Sequence, residues 1–194
     1  AYTMGKLAIF ASGRGSNALA IIERIERTQH EVGLIVSNNS NAGVCAIARQ
    51  FDIPLVLVSK MQLRSKPDQL LQSLKDYDIE FVALAGFLLL IPKEIIRAYK
   101  KRIFNIHPSL LPEYGGKGMY GKRIHEEVLR DTPPLSGISI HEVNERYDEG
   151  KLLFQASCPI VKGMQIDELM GCIHRLEHRY YPEILLLKLN ENTG

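Results

Sequence analysis

Three short stretches of this 194-residue chain carry residue types that can do chemistry. The first is Asn105-Ile106-His107-Pro108. Alternation along an extended strand puts Asn105 and His107 on one face. An amide donor beside an imidazole suits an oxygen that gains negative charge during acyl transfer. The imidazole can also move protons near neutral pH. The alternative is a core histidine that caps a strand end. The second stretch is the turn Ser12-Gly13-Arg14-Gly15-Ser16-Asn17. Backbone N–H groups at a helix N-terminus bind anions, and glycines let a phosphate come close. The alternative is a tight turn with Ser16 or Asn17 capping the helix. The third is Asp148-Glu149-Gly150. An aspartate there ordinarily only forms a turn, but a carboxylate near His107 would favour the imidazolium and orient it.

Other motifs imitate sites without their context. Gly13, Gly15 and Ala18 match G-x-G-x-x-A. A dinucleotide site wants an acid for the ribose about twenty residues on, whereas the second apolar run ends Val36-Ser37-Asn38-Asn39. The stretch Gly116 to Gly121-Lys122 resembles the start of a phosphate-binding loop. Arg123 stands where a serine or threonine should hold magnesium, and no strand leads in directly. His174-Arg175-Leu176-Glu177-His178 spells H-x-x-E-H. Its histidines are one turn apart and can share a metal, but little chain remains for a third ligand. Histidines at the surface or facing a ligand are the simpler reading. Lys100-Lys101-Arg102 reads as a solvated helix end.

These residues need a scaffold, and hydrophobic periodicity supplies one. Strands are expected at 6–12, 31–37, 54–58, 81–85 and 103–107. Helices are expected at 18–28, 42–51 and 67–77, with a short one around 95–99. Pro67 fits a first helical position, where its missing N–H costs nothing. Strands apolar on both faces that alternate with helices imply a parallel sheet covered on both sides. Residues 5–107 therefore form a doubly wound half. Beyond it lie a loop at 109–121, a helix at 122–130 and strands at 136–143 and 151–159. A long amphipathic helix follows at 165–189, which Pro182 should kink or interrupt. The fold class is α/β: a doubly wound, mostly parallel, Rossmann-like sheet with a C-terminal strand pair and long helix. The span 1–194 reads as one domain with halves at about 5–107 and 108–190. In such sheets ligands bind beyond the carboxyl ends of the strands, where the Gly-rich turn and Asn105/His107 both fall.

Composition narrows the partners. A net charge of +2 favours neither a nucleic-acid surface nor an anionic membrane. The longest apolar run, residues 81–91, is too short to span a bilayer. No basic stretch followed by an apolar one opens the chain, so no signal peptide is expected. Cys45, Cys158 and Cys172 have neither metal-ligand nor redox spacing. A cytoplasmic protein with reduced thiols is expected.

Taken together, SGRGSN, LAGFLLLIP, NIHPSLLP and the later H-x6-D-E-G resemble the glycinamide ribonucleotide formyltransferases. These belong to the folate-dependent formyltransferase superfamily. The likeness runs from about residue 5 to residue 189. NIHPSLLP is specific for the superfamily, while the SGRGSN turn and the lack of an appended domain favour this member. Methionyl-tRNA formyltransferases add a nucleic-acid-binding domain and formyltetrahydrofolate deformylases a regulatory one. A non-catalytic nucleotide-binding module is the alternative of a different class.

The resemblance implies the reaction and its parts. The formyl group of 10-formyltetrahydrofolate would pass to the amine of glycinamide ribonucleotide, in de novo purine synthesis, with no metal. His107 would be the catalytic acid, Asn105 would help bind the formyl oxygen, and Asp148 would raise the pKa of His107. Gly15, Ser16 and Asn17 would hold the ribonucleotide phosphate, and Glu177 would bind the ribonucleotide. His141 would lie near the site. Leu88, Leu89, Leu90 and Ile91 would form part of the folate pocket through backbone groups and apolar walls. Many relatives carry a basic residue where Leu89 stands, so backbone contacts alone are expected there. Arg64 matches a folate-contacting arginine across a one-residue gap. Residues 115–121 read as a mobile active-site loop. Small-molecule substrates, no nucleic acid, no membrane, and a monomer or homodimer are the implied partners.

Overall fold

The first five apolar runs become parallel strands in the computed structural model, which describes residues 4–146 and 148–191. The first three and last three residues of the 1–194 span, and Tyr147, lie outside that description. The parallel strands are β1 (Lys6–Phe10), β2 (Glu31–Ser37), β3 (Leu55–Leu57), β4 (Phe81–Leu84) and β5 (Ile103–His107). Two antiparallel strands, β6 (Leu135–Glu142) and β7 (Leu152–Pro159), extend the same sheet. Its order is β3-β2-β1-β4-β5-β6-β7. The chain therefore reverses direction across the sheet at β1/β4, where a doubly wound fold opens its binding crevice.

Burial on both faces explains the near-continuous apolar strands. Leu7 and Ile9 enter one core and Ala8 and Phe10 the other, all four without solvent exposure. The first core packs under α1 (Ser16–Ile25), α2 (Gly43–Gln50), α6 (Lys122–Asp131) and α7 (Ile166–Glu191). The second packs under α3 (Lys60–Ser65), α4 (Pro67–Asp76) and α5 (Lys93–Ala98).

Two features differ from expectation. The helix α3 was not expected, yet its start was legible. Ser59 and Gln62 form a capping box, with Ser59 Oγ accepting from Gln62 N at 3.1 Å and Gln62 Oε1 accepting from Ser59 N at 2.7 Å. The helix α7 is not interrupted at Pro182. The proline removes the N–H that would reach the His178 carbonyl. Tyr181 and Leu185, both fully buried, hold the turn against the core.

Tyr181 also ties α7 to the carboxyl edge of the sheet. Its hydroxyl donates to the Leu84 carbonyl (2.8 Å) and lies 3.2 Å from that of Phe104. Removing it strands buried carbonyls. Tyr181→Phe is therefore expected to lower unfolding free energy by about 1–3 kcal/mol. Urea denaturation checks this, and an unchanged midpoint would show that the hydroxyl does not hold the strand ends.

Candidate active site

A cavity of about 570 Å³ opens beyond the carboxyl ends of β1, β4 and β5. The turn after β1 contributes Gly15, Ser16 and Asn17. Gly15 has φ 84°, and a Cβ there would come within 2.8 Å of Ile47 Cδ1 and 3.0 Å of Val44 Cα. Only glycine fits that bend. Gly15 is itself the N-cap of α1, and no side chain caps the helix. The capping alternative for Ser16 and Asn17 is thus not what the turn adopts. The uncapped start of α1 lines the cavity, as an anion site requires.

The segment after β4 supplies Phe87, Leu88, Leu89, Leu90 and Ile91 to the wall. Phe87 is anchored edge-on against Phe10, with centroids 5.4 Å apart. Ser12 holds the backbone: its Oγ accepts from Leu88 N at 2.9 Å and donates to Asn38 Oδ1. Sequence reasoning missed this use of Ser12, although it opens the SGRGSN turn. Arg64 is not brought to the cavity. It stands exposed on α3, and the wall residues do not include it. The one-residue gap set its alignment, and α3 directs it elsewhere.

The antiparallel register of β5 and β6 builds the third wall. Asn105 pairs with His141 and His107 with Ser139. Asn105 Nδ2 lies 3.3 Å from His141 Nε2, and His141 Nδ1 is 2.8 Å from the Glu142 carbonyl. A carbonyl only accepts, so Nδ1 of His141 carries a proton. By the same reasoning His107 is protonated on Nε2, 2.8 Å from the Tyr114 carbonyl. Ser139 accepts from Leu111 N (2.9 Å) and donates to the Ser109 carbonyl (2.6 Å), which fixes the loop that follows His107.

Asp148 sits between the two imidazoles. Its Oδ1 is 3.7 Å from His107 Nδ1 and 3.6 Å from His141 Nε2. Its Oδ2 accepts from Gly116 N at 3.0 Å. The D-E-G turn makes this possible, because a Cβ at Gly150 would run into the Glu142 carbonyl. Burial, the largest influence on Asp148, pushes its carboxyl up. His141, His107 and the Gly116 N–H together outweigh it and hold the group below its ordinary range. It is an anion at neutral pH.

Burial is the largest influence on His107 and its net pKa is lowered, although Asp148 raises it, as the resemblance implied. His107 is 5% exposed and rests neutral, still presenting an Nε2–H donor.

Histidines and a carboxyl on α6 and α7 close the cavity. His125, His174 and Glu177 line it, and sequence reasoning had not singled out His125. His174 and His178 stack, with ring centroids 6.2 Å apart. Among the described residues no three metal-ligating side chains gather. Lys122, in the near-miss phosphate loop, opens α6 and reaches the wall, while Arg123 pairs with Glu127 at 3.6 Å.

Comparison with known proteins places this arrangement. Residues 5–185 match the formyl transferase family. This chain belongs to the formyl transferase family. A chloroplastic phosphoribosylglycinamide formyltransferase of Vigna unguiculata is 40% identical over 93% of the chain. The chain spans 59% of that plant relative's own length. The phosphoribosylglycinamide formyltransferase of Bacillus subtilis is 34% identical, with 98% of each chain covered. Glycinamide ribonucleotide transformylase 1 of Geobacillus kaustophilus superposes with a TM-score of 0.87 at 34% identity, covering 99% of this chain and 100% of that one. The formyl transferase fold is therefore the doubly wound sheet expected from the sequence. Among the described residues no helix is long and apolar enough to cross a membrane.

Within this formyl transferase cavity, Glu177 is the most perturbed carboxyl. It is 7% exposed, and burial, opposed only by Asn17, pushes its pKa from 4.5 to about 7. The folded state keeps a proton that the unfolded chain gives up. Its contribution is therefore full below pH 4.5 and is lost as pH rises toward about 7. Glu177→Gln, which stays neutral, should gain on the order of 2 kcal/mol relative to the native chain between about pH 5 and pH 8. Denaturant midpoints at the two pH values test this, and parallel pH profiles would contradict it.

Proposed function

We propose that this chain transfers the formyl group of 10-formyltetrahydrofolate to the amine of glycinamide ribonucleotide, a step of purine synthesis. The observation that carries the reading is that one cavity holds both an anion-type turn, Gly15-Ser16-Asn17, and the Asn105–His107–Asp148–His141 cluster. The Bacillus subtilis relative, matched along nearly its full length, bears the corresponding name. A cavity of about 570 Å³ has room for a ribonucleotide at one end and a pterin at the other.

Each residue has a part. Backbone N–H groups of Gly15, Ser16 and Asn17 hold the phosphate, and Glu177 with Asn17 takes hydrogen-bond donors of the ribonucleotide. The 87–91 wall receives the pterin through apolar contact and backbone groups; Leu88, Leu89, Leu90 and Ile91 carry no charge of their own. The folate supplies the formyl carbon. A C–N bond forms between the neutral amine and that carbon, the bond to N10 breaks, and the amine's proton ends on N10. Negative charge grows on the formyl oxygen meanwhile. The Asn105 amide and the Nε2–H of His107 are the donors for it. Growing charge there, together with Asp148, offsets the burial that keeps His107 neutral in the resting site. Releasing the His107 Nε2–H from the Tyr114 carbonyl requires the neighbouring loop to move. Gly116, Gly118 and Gly121, all at positive φ, give it that freedom.

The wider setting follows the same reading. The chain acts as one domain, as a single seven-stranded sheet supports. It works on small molecules as a monomer or homodimer, without nucleic acid or membrane. Free Cys45, Cys158 and Cys172 support the cytoplasm, although the plant relatives are named chloroplastic.

The test mixes the protein with both substrates, omits each in turn, and follows folate product by absorbance. Turnover is expected only with both. Folate release without the ribonucleotide would mean a deformylase, and no turnover at all a binding module. His107→Ala is expected to cost about 10²–10³ in turnover with the fold retained by circular dichroism. Undiminished turnover in that variant would remove His107 from the chemistry.

A further inference from the structure

His125 has no part in the chemistry above, yet its surroundings are those of a ligand group. It lies on the inward face of α6, beside the fully buried Ile124 and Val128, and is 4% exposed. Its Nδ1 is buried without a hydrogen-bond partner among the described residues. It also lines the cavity that holds Glu177 and the Gly15-Ser16-Asn17 turn. Burial, the largest influence, and then the nearby His174 and His107 push its pKa down to about 4, so its ring is neutral. A buried polar atom left unpaired destabilises the fold. An orphaned ring nitrogen on a residue that lines the cavity is accounted for by a partner that enters the cavity.

The same cavity contains a second orphan. Asn17 Oδ1 is buried and, among the described residues, unpartnered, while Asn17 lowers the pKa of the neighbouring Glu177. Asn17 Oδ1, the carbonyl oxygen of the Glu177 carboxyl and the unprotonated nitrogen of a neutral imidazole all accept hydrogen bonds. Acceptors lining one cavity call for donors on the ligand. A primary amine and a ribose diol are donors of that kind, whereas a pterin-side wall of leucines is not complementary to them.

We propose that His125 is a binding residue for the ribonucleotide, completing with Asn17 and Glu177 an acceptor set in the cavity that takes the ligand's amine and hydroxyl donors. The proposal rests on the formyl-transfer reading for the identity of that ligand.

The experiment compares the native chain with His125→Phe and His125→Ala by titration calorimetry, using glycinamide ribonucleotide and a non-reactive 10-formyl folate analogue separately. Phenylalanine fills the space and removes the unpaired nitrogen. A merely structural histidine would therefore leave binding untouched and stability equal or higher. Alanine serves if the phenylalanine chain does not fold. Ribonucleotide affinity is expected to fall by about tenfold or more in either folded variant, while folate-analogue affinity stays within about twofold. Ribonucleotide affinity within about twofold of native, or equal loss of both ligands, would overturn the proposal. Failure of the native chain to bind the ribonucleotide would instead overturn the formyl-transfer reading, and this assignment with it.

Discussion

The cluster of Asn105, His107, His141 and Asp148 exists because β5 and β6 run antiparallel in one fixed register. Side chains alternate along a strand, so a slip of one residue would send Asn105 and His107 to the opposite face. The register holds because both faces are buried: Phe104 and Ile106 enter one core with Ile138 and Ile140, and Ile103 enters the other. Ser139 then converts register into position. It sits opposite His107 and binds the backbone at Ser109 and Leu111, so the loop leaving the strand is tied to the strand beside it. Asp148 is the last element placed. It reaches the site on a turn that Gly150 allows to pass close to Glu142.

Desolvation governs the site as much as charge does. Burial leads the shifts of His107, His125 and Glu177, and each moves toward its uncharged form. Asp148 is the exception, held ionised by two imidazoles and one backbone N–H. A fixed anion beside buried groups that stay neutral is a polarised arrangement. Positive charge is favoured next to Asp148, and His107 is the group that can acquire it. Its proton affinity is poised between burial and Asp148, so a negative charge arriving on the substrate tips the balance. A histidine already charged in the resting site would gain less from that arrival, since the donor would be equally strong before and after charge develops.

Much of this was legible in the sequence, and the misses have physical causes. The strands at β2 and β5 lie where apolar, β-branched runs place them. Asn105 and His107 share a cavity because period-2 alternation is a property of the backbone. The sign of the His107 shift was not legible, because it depends on how deeply the ring is buried and not on which carboxylate is nearby. Arg64 stands outside the cavity wall because it belongs to α3, a helix whose capping box the alignment did not weigh. His125 escaped notice because a lone histidine on a helical face is ordinarily core, and only an unpaired nitrogen distinguishes it. The helix through Pro182 went against local propensity because tertiary burial of its neighbours outweighs one lost hydrogen bond.

The buried residues of α7 show how a helix can serve both core and site. Leu169, Ile173, Glu177, Tyr181, Leu185 and Leu189 follow one another at intervals of four. Four residues turn a helix about 40° past a full circle, so this stripe winds round α7 instead of running straight. The helix accordingly meets different partners along its length. Near its start Leu169 and Ile173 join the core with the strand pair β6–β7. Near its end Glu183 pairs with Arg24 of α1 at 2.6 Å, and Asn190 meets His30 at 2.7 Å. Glu177 occupies the middle of the stripe, where the winding face passes the open end of the sheet and no apolar partner is available. One turn on, Tyr181 returns to the sheet and fastens the carbonyls of Leu84 and Phe104. A carboxyl in an otherwise apolar stripe thus marks the point at which the core gives way to the cavity. The same helix that closes the core carries the group that meets the ligand.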